Sequence, residues 1–368
     1  MKGSREERAM GVPGLRPGGW AVRAVVMAIA LAVVIAIALA VVMGGCTDTD
    51  GEGGSPTPSP TPASDGTASA AVLTTVSGDY AVGSLATVAL EGWELRDGVT
   101  TVTGDSVVNV SGGRAFVINR YNYDTVRIYE PGRWEAPRVE FSVGDLSNPQ
   151  QAELCAGAAF ITLLEKDYIA VHDPDTGLAI GAVDLSAFDD GDGAPEAASM
   201  VQREGRLYVG LQQLDRENGW RPAGGTLVEV DCALRQVTRS WPVGVAPIVI
   251  DDPSAESRLI LRTGVYFTED YRLALEGGIF LFDVSSGILS GPFITEAEIG
   301  ANLVGMVATP LGQALVLWAD EDWQYTIACV SLETWSIQVA EVTSSSLFGA
   351  WLNDRGEAWI ASREGWAE

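Results

Sequence analysis

Four acidic side chains fall within eight residues in Asp189-Asp190-Gly191-Asp192-Gly193-Ala194-Pro195-Glu196. Clustered carboxylates on a glycine-hinged loop can supply hard oxygen ligands, so Asp189, Asp190, Asp192 and Glu196 form a candidate calcium site. The spacing is not that of an EF-hand, and a solvated acidic loop is the competing reading. If Asp190 and Asp192 converged with Asp215, the set would suit a calcium-assisted lyase or hydrolase. Other catalytic signals are absent from the sequence. His172 is the only histidine and sits in an apolar run, Tyr168-Ile169-Ala170-Val171-His172, where a structural role is expected. No nucleophile elbow, HExxH motif or P-loop occurs. A non-enzymatic role is therefore the primary expectation.

A second group of residues suits binding. Aromatic side chains recur beside acids or arginines: Tyr121 and Tyr123 with Asp124; Trp220 with Arg216 and Glu217; Phe267 and Tyr271 with Asp270; Trp323 with Asp320 and Asp322; Trp366 with Arg363. Rings with polar tips on exposed turns offer flat apolar area for a partner protein, a peptide or a glycan. The alternative is that they pack between structural units and stiffen the loops.

These clusters are spaced by a repeat. One strand-like phrase begins at Arg114, Ala158, Arg206, Arg258, Gln313 and Glu357, at intervals of 44, 48, 52, 55 and 44 residues. A second phrase follows all but the last: Thr125–Tyr129, Tyr168–His172, Thr226–Val230, Ile279–Phe282 and Thr326–Val330. We term these strands b and c. Strand a precedes b, as in 301–309, and strand d follows c, as in 178–185. Four short strands per 40–55 residues is the period of a β-propeller blade. The expected fold is all-β: a six-bladed β-propeller over residues 79–368, or seven-bladed if one interval hides a degenerate repeat. The segments 84–90 and 99–103 read as an unpartnered c and d. They are expected to complete the last blade and close the ring. The aromatic and acidic clusters then fall on b–c and d–a loops, which share one face.

Charge narrows the partners. Removing the five basic and two acidic side chains before Cys46 leaves 18 basic against 47 acidic, a net charge of −29. Such a body repels nucleic acid. A closed propeller of this kind is expected as a monomer. Beyond Cys46 lie Cys155, Cys232 and Cys329, which permit one disulfide and one spare thiol, with three pairings open.

The N-terminus carries an address. Residues 24–43 are an unbroken run of Ala, Val, Ile, Leu and Met, preceded by Lys2, Arg5, Arg8, Arg16 and Arg23. As a helix, twenty residues span about 30 Å, the thickness of a bilayer core. Basic residues before the run and acids after it place the body outside the cytoplasm. The run ends Met43-Gly44-Gly45-Cys46, which resembles the lipobox of bacterial lipoproteins. That resemblance implies a signal peptide over 1–45, a lipid on Cys46, and a membrane partner through that anchor. An uncleaved signal anchor is the alternative. Residues 46–78, rich in Pro, Ser, Thr and Gly, read as a disordered tether. The final location is extracytoplasmic, in the periplasm or at the cell surface.

The phrase running from Tyr168 through Asp173-Pro174-Asp175-Thr176-Gly177 to Leu185 resembles the YVTN-type β-propeller repeat: an apolar strand, an Asp-led turn and a second apolar strand. With Asp184–Glu196 and Leu207–Arg216, the chain is similar to a group of bacterial YVTN-type lipoproteins whose function is mostly unassigned. The sequence has Asn148-Pro149-Gln150-Gln151 where that group would carry Asn-Pro-His-Asp. The resemblance implies a membrane-anchored binding propeller, and a structural envelope protein is the bland alternative.

Overall fold

The computed structural model describes residues 70–216, 219–222, 224–264, 272–343, 346–352 and 358–363, together with the short strand β1 (Ile37–Leu39). The chain divides into compact units Met1–Val33 and Val34–Glu368. The first lies outside the described residues, as do Cys46, Tyr271 and Trp366.

The blades form because each repeat alternates short β-branched runs with turns that force reversal. Blade one is β2 (Ala70–Val76), β3 (Val82–Ala89) and β4 (Leu95–Thr103). Blade two is β5 (Ser106–Ser111), β6 (Arg114–Asn119), β7 (Thr125–Tyr129) and β8 (Val139–Ser142). Blade three is β9 (Pro149–Cys155), β10 (Ala158–Leu163), β11 (Tyr168–His172) and β12 (Ala179–Asp184). Blade four begins with β13 (Ala197–Arg203) and β14 (Arg206–Leu211). Its second turn carries the small pair β15 (Leu214–Asp215) and β16 (Arg221–Pro222), before β17 (Thr226–Asp231) and β18 (Gln236–Pro242). Blade five is β19 (Ile248–Asp251), β20 (Arg258–Thr263), β21 (Gly278–Asp283) and β22 (Ile288–Thr295), followed by the one-turn helix α1 (Glu296–Ile299). Blade six is β23 (Asn302–Ala308), β24 (Gln313–Ala319), β25 (Tyr325–Ser331) and β26 (Ile337–Thr343). These six antiparallel sheets are the blades of a β-propeller.

Strands β27 (Ser346–Leu352) and β28 (Ala358–Arg363) make a further C-terminal sheet, to which β1 adds. This corrects the expected closure. Strands β3 and β4 do pair as c and d, but β3 runs against β2, from Ala70↔Ala89 to Val76↔Gly83. The edge of β28 is taken instead by β1, from Ile37↔Ser362 to Leu39↔Ile360. The five-residue turn between β2 and β3 makes their pairing local, so β3 already has a neighbour on the edge that β28 would have taken. The sheet also begins at Ala70, inside the segment read as tether. Residues 37–39 are extended where the apolar run predicts helix. An extended apolar segment without surrounding hydrocarbon satisfies its backbone by pairing with an open strand edge.

Two devices hold the blades together. Apolar side chains fill the spaces between neighbouring sheets, as Phe160, Ile169 and Val171 of blade three do against Met200, Leu207 and Val209 of blade four. Polar side chains on the inner strands then reach across to the next blade's backbone. Asn109 Nδ2 donates to Ala152 O (2.5 Å), and Ala152 N–H donates back to Asn109 Oδ1 (3.2 Å). Gln151 makes the same reciprocal pair with Met200, at 2.7 and 3.0 Å. Val249 N–H donates to Ser199 Oγ at 2.9 Å. Each clasp gives an inner strand hydrogen bonds that its own sheet cannot supply.

Turns between c and d follow the Asp-led pattern. Asp173 Oδ1 accepts the Asp175 and Thr176 N–H groups, and Asp283 Oδ1 accepts that of Ser286. Gly177 and Gly287 supply the positive φ, at 72° and 73°.

Cys155, at the end of β9, is bonded to Cys232, just after β17 in the next blade, with Cα atoms 5.8 Å apart. Cys329 is disulfide-bonded as well, so the expected spare thiol is not found among the described residues.

Candidate functional site

The b–c and d–a turns share what we call the upper face, and the a–b and c–d turns the lower. In blade one, β2, β3 and β4 run as b, c and d. The upper face is built on buried carboxylates that hold loop backbones. Asp124, in the β6–β7 turn, is 4% exposed. It accepts the N–H groups of Leu146, Ser147 and Asn148 at 2.8, 3.0 and 2.7 Å, and so fixes the β8–β9 loop. Its neighbour Arg120 pairs with Asp105 at 2.5 Å and donates to Gln150 Oε1 at 3.3 Å. Glu296 plays the same part between blades five and six, accepting Gly277 N–H and Leu303 N–H, each at 2.8 Å. Burial raises its pKa above the usual carboxylate range.

Arg216, expected on a binding face, is the hub of a larger cluster. It meets Glu165 at 2.5 Å, Glu196 at 2.9 Å and Asp192 at 3.5 Å. It also donates to Leu164 O at 3.2 Å and lies 5.6 Å from the centre of the Trp220 ring. Three loops therefore converge on one guanidinium, whose planar fork suits several acceptors at once. Glu196 is fully buried and also accepts Leu214 N–H at 2.8 Å. Burial pushes its carboxyl up to about 8, while Leu214 N–H and Arg216 pull the other way.

The acidic loop shows what the candidate calcium ligands do. Carboxylate oxygens of Asp189, Asp190 and Asp192 lie within 4.8 Å of one another. Glu196 and Asp215 are not in that group, so the three carboxylates posited for catalysis, Asp190, Asp192 and Asp215, do not come together as one set. Asp189 Oδ1 accepts Gly191 N–H and Gly193 N–H, both at 2.9 Å, which holds its pKa low. Asp192 accepts Ala194 N–H through one oxygen and Arg216 N–H through the other. Asp190 is shifted upward, by burial first and by Asp192 second. Two of the three acids thus serve as loop caps.

The aromatic candidates divide. Tyr121, Tyr123 and Trp323 are 54%, 51% and 57% exposed on the upper turns of blades two and six. Trp220 is half-buried against Arg216. The turn carrying Trp323 is fixed by Asp320 Oδ1, which accepts Asp322 N–H and Gln324 N–H at 3.0 and 2.8 Å. Rigid turns thus present exposed rings, an arrangement that lowers the entropy cost of binding. A cleft of about 350 Å³ lined by Gly112, Arg114, Cys155 and Asp175 opens on the opposite face, and its Arg114 is already held by Asp175 at 2.8 Å.

His172 is 5% exposed, stacks on Phe141 with ring centres 4.4 Å apart, and shares a 3.0 Å hydrogen bond with Gly177 O. Gln150 and Gln151, at the departure from the YVTN-type group, are used in loop and blade clasps. Sequence reasoning missed Arg120, Glu165 and Glu296. The available signal was a Glu-Ala pair between strands d and a, Glu196-Ala197 directly at the start of β13 and Glu296-Ala297 in α1 ahead of β23.

No protein-family model matches the sequence, and no curated relative matches it. Solved structures do resemble it. A chain of the mitotic checkpoint complex aligns with TM-score 0.56 and 11% identity over 80% of this chain and 87% of that one. The WD40 domain of Neurospora crassa Pan2 gives 0.56 and 8% over 82% and 87%. The hydrazine synthase of Kuenenia stuttgartiensis gives 0.52 and 12% over 80% and 95%. What is shared is the propeller fold. At such identities, function is carried by the site and not by the fold.

Proposed function

We propose that this chain is a bacterial-type lipoprotein of the YVTN-repeat kind, held outside the cytoplasm through Cys46, whose upper face binds a partner protein, peptide or glycan. The observation that carries the binding reading is the exposure of Tyr121, Tyr123 and Trp323 on turns tied down by the carboxylates of buried Asp124 and half-buried Asp320. Aromatic anchors on a preorganised surface are the usual centre of a binding site. The Cys155–Cys232 disulfide supports an oxidising compartment. The Asp173-led turn between β11 and β12 supports the repeat type. A calcium-assisted role is the second reading, favoured by the approach of Asp189, Asp190 and Asp192.

The test is cross-linking on intact cells, comparing the natural chain with Tyr121→Ala/Tyr123→Ala and with Trp323→Ala. A specific partner should be recovered with the natural chain and fall roughly tenfold with the variants, the effect of losing one hot spot. Equal recovery with all three proteins would contradict the reading.

A further inference from the structure

The lower face differs in kind from the upper one. Its turns expose aliphatic side chains: Leu95 (61%) at β3–β4, Leu178 (66%) at β11–β12, Leu234 (64%) at β17–β18, Ile288 (60%) at β21–β22 and Leu311 (70%) at β23–β24. Trp93, 45% exposed, lies in the same turn as Leu95. Five of the six blades thus place a large apolar side chain on a turn at one end of the fold. Isolated exposed leucines are ordinary on protein surfaces. Here their distribution is the observation, since single tips spread over separate blades suit a flat occupant better than a compact one.

The chain enters at this same face. Strand β2 pairs with β3 from Ala70↔Ala89 at one end to Val76↔Gly83 at the other. Ala89 N–H donates to Glu94 O at 2.9 Å, which closes the lower turn that holds Trp93. Ala70 therefore starts beside Trp93 and Leu95. The segment between Cys46 and Ala70 is 23 residues. A segment of that length reaches at most about 80 Å even fully extended, so an anchor at Cys46 would hold the body near the bilayer at an effective concentration on the order of millimolar. A weak apolar contact suffices at that concentration. Tryptophan favours the water–hydrocarbon boundary, and aliphatic tips partition below it.

Charge permits the approach. The body is acidic, and three lower-face acids are partnered, Glu135 with Arg96 at 2.9 Å, Asp175 with Arg114 at 2.8 Å and Glu130 with Arg138 at 2.5 Å, whereas Glu91, Glu94, Glu204, Glu256 and Glu333 on the same turns are exposed and disfavour an anionic surface. We infer that the lower face rests on the bilayer that holds the anchor, with Trp93, Leu95 and the aliphatic turn tips at the lipid boundary and the aromatic upper face directed away. This rests on the anchor proposed for Cys46 and adds an orientation to it. The occupant is lipid, and the acidic body makes a zwitterionic surface the best one.

The test uses the full chain purified from cell membranes and reconstituted on phosphatidylcholine vesicles. Flotation reports the anchor, and amide hydrogen exchange reports the face. The natural chain should float and show exchange on the order of fivefold slower in turns 90–95, 173–178 and 284–288 than the Trp93→Ser/Leu95→Ser/Ile288→Ser variant on the same vesicles, with turns 120–124 and 320–324 alike in both. The variant should still float and keep its melting temperature, because the replaced side chains are on the surface. Flotation with no difference in the lower turns, or with protection of the upper ones, overturns the docking and leaves the anchor standing. Failure to float overturns both.

Discussion

Arg216 and Glu196 meet at 2.9 Å in a buried contact that joins the acidic loop to the β14–β17 turn. Glu165 and Asp192 share the same guanidinium, and Leu164 O accepts from it. The residue that looked most like a cationic binding group is thus a bolt between blades three and four. Its work is to hold the surface on which Trp220 and the neighbouring turns sit.

The contact has a pH signature. Burial raises the Glu196 carboxyl from an ordinary 4.5 to about 8, so the fold favours its protonated form. Its contribution to stability is fully present below about pH 4.5, declines as pH rises, and is lost above about 8. Glu196→Gln removes this titration while Arg216 keeps Glu165 and Asp192. The melting temperature of the natural protein should fall relative to that of the variant between pH 5 and pH 8. Parallel pH profiles in scanning calorimetry would refute the assignment.

Glu229 offers a sharper stability test. It is 2% exposed in β17 and receives Arg206 (2.9 Å), Tyr208 Oη (3.1 Å) and Thr238 Oγ1 (2.6 Å), with Arg239 also bound. Burial, with Glu229 close by, pushes the Tyr208 phenol up to about 12. Glu229→Ala strands several donors around an empty acceptor site, which should cost about 3 kcal/mol in urea denaturation. A loss below about 1 kcal/mol would show that solvent satisfies those donors.

The Cys155–Cys232 bridge closes 77 residues. On chain entropy it contributes about 4.5 kcal/mol. The Cys155→Ser/Cys232→Ser protein should unfold at clearly lower denaturant concentration than the oxidised natural chain. Coincident curves would mean that the blade interface alone sets stability.

The acidic loop predicts a weak calcium response. Asp189 and Asp192 already accept backbone N–H groups, so a cation would compete with existing partners. Melting temperature should be the same with calcium as with chelator. A rise with calcium that disappears in Asp190→Asn would favour the second reading.

The repeat made much of the fold legible. Arg114–Asn119, Ala158–Leu163 and Arg206–Leu211 are strands that start where the sequence reading put them, because each apolar run begins directly after a turn glycine, Gly113, Gly157 or Gly205. Ala70–Val76 was hidden: small residues and threonine directly after a Pro- and Ser-rich stretch lack the contrast that marks a strand. The upper-face network depends on which loop folds over which, so the partners of Glu196 and Asp124 could not be read from spacing. The cysteine pairing was equally hidden. It depends on β9 ending beside the c–d turn of the next blade, a relation between strands that no local pattern encodes.

The most direct measurement is the mass of the mature N-terminal peptide from the membrane-bound protein, with Cys46→Ser as control. The account predicts a chain that begins at Cys46 and carries diacylglycerol in thioether linkage, and no membrane-bound product from the variant. A membrane-bound chain whose first peptide still carries residues before Cys46, or a Cys46→Ser protein that stays on the membrane, would contradict it.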